Sequence, residues 1–117
     1  MSYDLYLNDP VTKEPLLLDE PHQMKGGTYA VGGTRTCHLN ITYNYGLHFT
    51  SLGEKGIRTI YGMTGADSIP ILQKCADSLS DETDPDYWKP VPGNVKKALL
   101  QLISLAKMRP DGIWDGD

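Results

Sequence analysis

The stretch Thr36-Cys-His-Leu-Asn-Ile-Thr-Tyr-Asn-Tyr45 constrains the chain more than any other. Apolar and polar side chains alternate along it. Cys37, Leu39, Ile41 and Tyr43 fall on one side; Thr36, His38, Asn40, Thr42 and Asn44 fall on the other. A period of two over this length predicts a half-buried strand whose apolar row faces a core. The polar row has no Lys, Glu or other fixed charge. Each of its members can donate and accept hydrogen bonds, which suits a neutral, directional binding surface. The row equally fits a central strand whose side chains satisfy neighbouring loops, and the two readings stand level.

The preceding residues read as more sheet. Tyr3, Leu5 and Leu7 alternate with Asp4, Tyr6 and Asn8, Asn8-Asp9-Pro10 initiates a turn, and Leu16–Leu18 supplies a return strand. These predict a β-hairpin, with Pro15 and Pro21 marking an edge. Two Gly-Gly pairs, Gly26-Gly27 and Gly32-Gly33, bracket Thr28–Val31. They read as a short strand between tight turns, or as a backbone cradle with Thr28, Thr34 and Arg35 at its lip.

After Tyr45 the period changes. Leu47, His48, Leu52, Ile57 and Ile60 predict short helices over 46–52 and 54–62, interrupted by glycines. A third helix starts at Asp67 or Ser68, tolerates Pro70 in its first turn, and carries the stripe Ile69, Leu72, Cys75, Ala76 and Leu79. Asp81 to Gly93 is an acidic, proline-containing loop. Asn94 is the expected cap of the last helix, whose stripe is Val95, Ala98, Leu99, Leu102, Ile103 and Ala106. Leu100 lies off that stripe and reads as an ordinary exposed leucine, or secondarily as a homo-oligomer contact. Trp114 is too large and apolar to be left loose, so the tail is expected to dock. The predicted fold is α+β: a small antiparallel sheet (the N-terminal hairpin plus strands to about residue 45) packed by C-terminal helices, in one domain spanning 1–117.

Composition narrows the function classes. The 117 residues carry a formal charge of -4 and a pI near 5.2. A protein that tracks phosphates would be basic, so direct nucleic-acid binding is not expected, whereas a basic partner surface stays open. Cys37 and Cys75 share no metal-type spacing and read as buried thiols of a reducing compartment. No basic leader and no membrane-length apolar run is visible, so the expected location is cytoplasmic, away from any membrane.

The familiar catalytic patterns are missing. There is no HExxH, no Cys–His cluster, no GxSxG elbow, no GxGxxG and no phosphate loop. Asp111, Asp115 and Asp117 do not follow calcium-loop spacing. No catalytic residue, metal or cofactor is therefore assigned. What remains is ligand chemistry. Tyr29, Tyr43, Tyr45 and Tyr61, with Arg35 and Arg58, suit stacking on a nucleobase and pairing with phosphate. The candidate ligand-binding set is Arg35, His38, Asn40, Thr42, Asn44, Tyr45 and Arg58. The same tyrosines and arginines also fit an aromatic core with surface charges.

The segments Tyr3-Asp-Leu-Tyr-Leu-Asn-Asp-Pro10, Leu39-Asn-Ile-Thr-Tyr-Asn-Tyr45, Gly53-Glu-Lys-Gly-Ile-Arg-Thr-Ile-Tyr-Gly62 and Arg109-Pro-Asp-Gly-Ile-Trp-Asp-Gly-Asp117 resemble a family of small uncharacterised bacteriophage and prophage proteins. The resemblance covers most of the chain. It implies a phage or mobile-element context, hence the host cytoplasm, and carries no catalytic residue with it. Small acidic phage proteins are often accessory factors, some of which inhibit host defence.

Three function classes remain open at this stage. The leading one is a non-catalytic phage accessory protein that binds and neutralises a host factor, as an anti-defence protein sequestering a nucleotide-like signal would. The second is a protein-binding inhibitor of a host defence complex, acting through its acidic surface. The third is a small enzyme acting on a nucleotide or similar metabolite, with His38 or His48 as acid–base.

Overall fold

The computed structural model describes residues 2–24 and 33–117. Most of the Gly-Gly cradle, from Gly26 to Gly32 with Thr28 and Tyr29, falls outside the described residues. Strand β1 (Ser2–Asn8) is the centre of a three-stranded sheet in the order β4-β1-β5, with β4 at His38–Thr42 and β5 at Ile113–Gly116. Both ladders are antiparallel, pairing Tyr3 with Ile41 and Leu5 with Leu39 on one side and Leu7 with Trp114 on the other. Alternation then puts Leu5, Leu7, Leu39, Ile41 and Trp114 on one face, where all are buried. The opposite face carries Ser2, Asp4 and Tyr6 beside His38, Asn40 and Thr42. Strands β2 (Leu17–His22) and β3 (Thr34–Thr36) make a separate two-stranded sheet with an irregular register.

The chain is thus α+β, with small antiparallel sheets packed by helices. The predicted N-terminal hairpin does not form as such. Leu16 N–H donates to the Leu7 carbonyl, and Asn8 and Pro15 share an isolated bridge, but the ladders of β1 run to β4 and β5. The reason is Cys37. Its N–H donates to Leu16 while its carbonyl accepts from Leu7, so Cys37 closes the ladder between the two segments and hands β2 to β3. The bend at Cys37 also divides the long alternating stretch into β3 and β4.

Beyond Thr42 the backbone tightens into a 3₁₀ segment, Tyr43–Leu52, followed by a second, Gly56–Ile60. The Thr42 side chain caps the first by accepting from Asn44 N–H at 3.2 Å. Tyr43, expected in the core as part of a strand, is turned to the surface by this change, while Tyr45, Phe49 and Leu52 point inward. Gly53, at φ 153°, ends the segment, and a Cβ there would collide with the Thr59 side chain.

Helix α1 (Gly65–Asp77) is capped by Thr64, whose hydroxyl accepts from Asp67 N–H at 3.0 Å, rather than by Asp67 or Ser68. Leu72, Cys75 and Ala76 of its expected stripe are buried, Ile69 is partly so, and Leu79 lies just past its end. Helix α2 (Pro92–Met108) begins two residues before Asn94 because Pro92 supplies a preset φ at the first turn. Its whole predicted stripe is buried, and Leu105 with it. The two helices pack on each other, and α2 reaches β4. Among the described residues, no helix is long and apolar enough to cross a membrane.

Candidate functional site

The polar face of the three-stranded sheet is built by register. Pairing of Asp4 with Asn40 and of Tyr6 with His38 sets four hydrogen-bonding side chains together. Asn40 Nδ2 donates to Ser2 Oγ at 2.7 Å and to Asp4 Oδ1 at 2.9 Å. His38 Nε2 donates to the same Asp4 oxygen at 3.0 Å. Since a carboxylate only accepts, this bond selects the Nε2–H tautomer. The Tyr6 ring stacks on the imidazole, centroids 4.5 Å apart and planes 19° from parallel. Partial burial raises the Asp4 carboxyl pKa, but the bonds from Asn40 and His38 outweigh it and leave it below the ordinary carboxylate value.

Burial separates the members of the polar row. Asn40 is 4% exposed and Thr42 2% exposed, whereas His38 and Asp4 keep an open edge. Of the two readings of the row, the internal network holds at Asn40 and Thr42. The acidic loop between the helices is bonded to this end of β4. Tyr87 lays its hydroxyl against Thr42 N–H at 3.0 Å, and Asn44 Nδ2 donates to the Trp88 carbonyl at 3.0 Å. The Tyr45 hydroxyl donates to the Tyr87 carbonyl, and desolvation, with the Tyr87 and Asp86 charges behind it, pushes the Tyr45 phenol well up. Asn94, freed from capping, accepts from Asp84 N–H and donates to the Asp86 and Lys89 carbonyls.

Arg58 marks the other end of the sheet. Its Nε donates to the Asp117 carbonyl at 2.8 Å and its Nη2 to the Tyr43 hydroxyl at 3.2 Å. The guanidinium carbon lies 5.0 Å from the Tyr3 ring centroid and 5.7 Å from that of Tyr43, a cation–π arrangement. Asp117 is the hinge of this corner. Its Oδ1 accepts from Asp4 N–H, and its carbonyl also accepts from the Tyr61 hydroxyl. Burial, with the Asp117 charge second, pushes the Tyr61 phenol up to about 12.

The seven candidate residues therefore occupy three neighbourhoods. His38 and Asn40 meet over Asp4, and Asp117 connects them to Arg58. Thr42, Asn44 and Tyr45 hold the 84–90 loop. Arg35 stands apart in β3, where its Nε donates to the Leu18 carbonyl at 2.8 Å. Arg35 and Arg58 thus serve different sheets. The other two histidines are tied to backbone carbonyls, His22 to Thr36 and His48 to Pro90, each at 2.8 Å. Both cysteines are buried thiols, and burial raises the Cys37 pKa. Among the described residues, no group of three His, Cys, Asp or Glu side chains could hold a metal ion.

Sequence reasoning missed Tyr6 and the loop residues Tyr87 and Trp88. A signal for Tyr6 was present: it sits on the polar side of an alternating strand, as the row in β4 does. Nothing local to Tyr87 announces contact with Thr42. No protein-family model, curated protein or solved structure matches the chain.

Proposed function

We propose that this chain is a non-catalytic accessory protein of the bacteriophage type that occupies a host factor in the host cytoplasm, and that the factor is a protein with a basic surface. The observation that carries this reading is the sign of the charge around the polar face. Asp4 and Asp115 lie in β1 and β5, and Asp117 follows β5 and bonds Asp4 N–H. The Tyr87–Thr42 bond joins that face to the loop of Asp81, Glu82, Asp84 and Asp86. Arg58, the arginine at this corner, already donates to Asp117 and Tyr43. Such a surface attracts cations and steers a basic partner, with a strong dependence on salt.

A nucleotide-like signal is the second reading. It is favoured by the guanidinium of Arg58 over Tyr3 and Tyr43 and by the Tyr6–His38 stack, groups that suit a base and one phosphate. Arg35, the other arginine of this reading, lies in the smaller sheet, where its Nε donates to the Leu18 carbonyl. The third reading, catalysis, has the His38–Asp4 pair alone behind it.

The test is a titration with labelled peptides of equal length, one basic, one neutral and one acidic, at low and at physiological salt. Candidate signalling nucleotides are incubated with the protein in parallel, and the supernatant is assayed for loss and for chemical change. Selective retention of the basic peptide, weakening as salt rises, is the expected result. Equal retention of the acidic peptide overturns it. Depletion of a nucleotide that is later recovered intact moves the conclusion to the second reading, and a chemically altered nucleotide moves it to the third.

A further inference from the structure

Two large apolar side chains stand out of the surface that the acidic loop borders. Leu47 is 84% exposed and Trp88 is 48% exposed. In a 3₁₀ segment residues three apart eclipse one another, so Asn44 and Leu47 share the outer ridge, while Tyr45 and Phe49 turn to the core. Asn44 is the residue that grips the Trp88 carbonyl, and His48, next to Leu47, grips the Pro90 carbonyl. These two bonds fasten the Trp88 loop along the ridge that carries Leu47.

Trp88 is held, not loose. Its N–H donates to Asp86 Oδ1 at 3.0 Å, and its ring meets Tyr87 edge-on at 5.0 Å. Pro85 and Pro90 restrict the backbone on either side. An indole fixed in this way loses little conformational freedom on binding, and tryptophan is the side chain most enriched at interface hot spots. The surrounding charge is net negative. Asp81, Glu82, Asp84 and Asp86 outnumber Lys96 and Lys89, which pair with Asp81 and Asp84. The chain's net charge of -4 sets a second copy against itself here.

We propose that Trp88 and Leu47 are the apolar anchor of a docking surface for a basic amphipathic segment of a partner protein. The apolar side of the segment covers the indole and Leu47, and its Lys or Arg side chains meet the Asp84–Asp86 carboxylates. This rests on the reading of a basic protein partner and adds to it the position of the contact and the form of the segment.

The experiment uses the intact chain and its own tryptophans, since Trp114 is buried and Trp88 reports the surface. The probes are a Leu/Lys amphipathic peptide of about 18 residues, five helical turns, a Leu/Glu counterpart, and a Lys/Ser peptide of equal charge without an apolar face. The Leu/Lys peptide is expected to shift the Trp88 emission to the blue and protect it from acrylamide. Trp88→Ala, read by anisotropy of labelled peptide, and Leu47→Ser should each weaken binding by about tenfold or more, as loss of a hot spot does. Asp86→Asn keeps the acceptor for Trp88 N–H, so it tests charge alone and should weaken binding less. Thermal melts matching the parent show that the variants are folded. Equal binding of the Lys/Ser peptide, indifferent to Trp88→Ala, overturns the apolar anchor and leaves the basic-partner reading standing. Binding of neither basic peptide overturns both. Equal binding of the Leu/Glu peptide overturns the charge complementarity. Protection of Trp88 that rises with protein concentration alone assigns the surface to a second copy and overturns the proposal.

Discussion

The indole N–H of Trp114 donates to the Ser68 hydroxyl at 2.8 Å, and both residues are fully buried. Ser68 in turn donates to the Gly65 carbonyl at 2.8 Å. A single hydroxyl thus satisfies the tryptophan of β5 and ties that strand to the first turn of α1. Ser68→Ala leaves the indole N–H without this acceptor in an apolar setting, which should cost about 1–3 kcal/mol. Trp114→Phe removes the donor and also some volume. In a double-mutant cycle followed by urea denaturation, the combined variant should lose less than the sum of the two single losses. Strict additivity would show that the bond contributes nothing to stability.

Asn40→Ala should be distinctly destabilising. It removes donors to Ser2 and Asp4 inside a buried network, and a bond to a charged group is worth roughly 1.5–3 kcal/mol. A change within about 0.5 kcal/mol, the usual figure for surface positions, would mean that the network opens freely to water. Equilibrium denaturation at neutral pH distinguishes the two.

The same network predicts an acid response. Desolvation raises the Asp4 pKa, but Asn40 and His38 bring it below the ordinary value of 3.8. A depressed folded-state pKa contributes stability that is fully present above the unfolded value and is lost as pH falls through the folded one. Unfolding free energy should therefore fall as pH drops below about 4, and Asp4→Asn should make that fall shallower. Asp9 and Asp111, also depressed, keep the remaining slope. An unchanged slope in Asp4→Asn, measured by denaturant titration from pH 5 downwards, would detach Asp4 from acid stability.

Leu99→Ala and Leu102→Ala should each cost roughly 2–5 kcal/mol, the transfer term plus a cavity. Leu100, which is exposed on the other side of α2, should cost far less. If Leu100→Ala proved as damaging as Leu99→Ala, and the melting temperature rose with protein concentration, a second subunit would be covering that position.

Gly93→Ala should disturb the Trp88 loop from behind. A Cβ at Gly93 would run into the backbone of Asp81 and Glu82, and the Gly93 N–H donates to the Glu82 carbonyl at 2.7 Å. Overpacking against backbone costs typically about 1–3 kcal/mol. The expected outcome is a lower melting temperature with greater acrylamide quenching of Trp88. A lower melting temperature with unchanged quenching would show that the loop is held from the Asn44 side alone.

Periodicity made some of this legible. The stripe of α2 was readable because six apolar residues recur at helical spacing, and the apolar row Cys37, Leu39 and Ile41 because strands alternate. Periodicity assigns a side chain to a face but does not say what covers that face. The Tyr87 hydroxyl meets the backbone of Thr42 and Asn40, some 45 residues earlier, and nothing in the alternating stretch encodes that contact. Strand β5 escaped because Ile113–Gly116 is too short for a period and ends in Asp and Gly; Trp114 alone hinted that the tail docks. Asn94 was misread because a good capping residue also bonds loop carbonyls, and Pro92 had already started the helix. Of the candidate residues, His38 and Asn40 meet over Asp4, while Arg35 lies in a sheet that the hairpin reading had not separated.

The order of strands in the larger sheet has a consequence for biosynthesis. Asp4 N–H is bonded to Asp117, 113 residues later, and β1 lies between two strands that are both made after it. At ordinary translation speeds the first strand waits on the order of ten seconds for its last neighbour. Throughout that interval one side of β1 displays unsatisfied N–H and C=O groups next to Leu5 and Leu7. A nascent chain on a neighbouring ribosome displays the same edge. Slow synthesis, or many ribosomes on one message, would therefore favour strand exchange between sister chains before β5 arrives to close the edge.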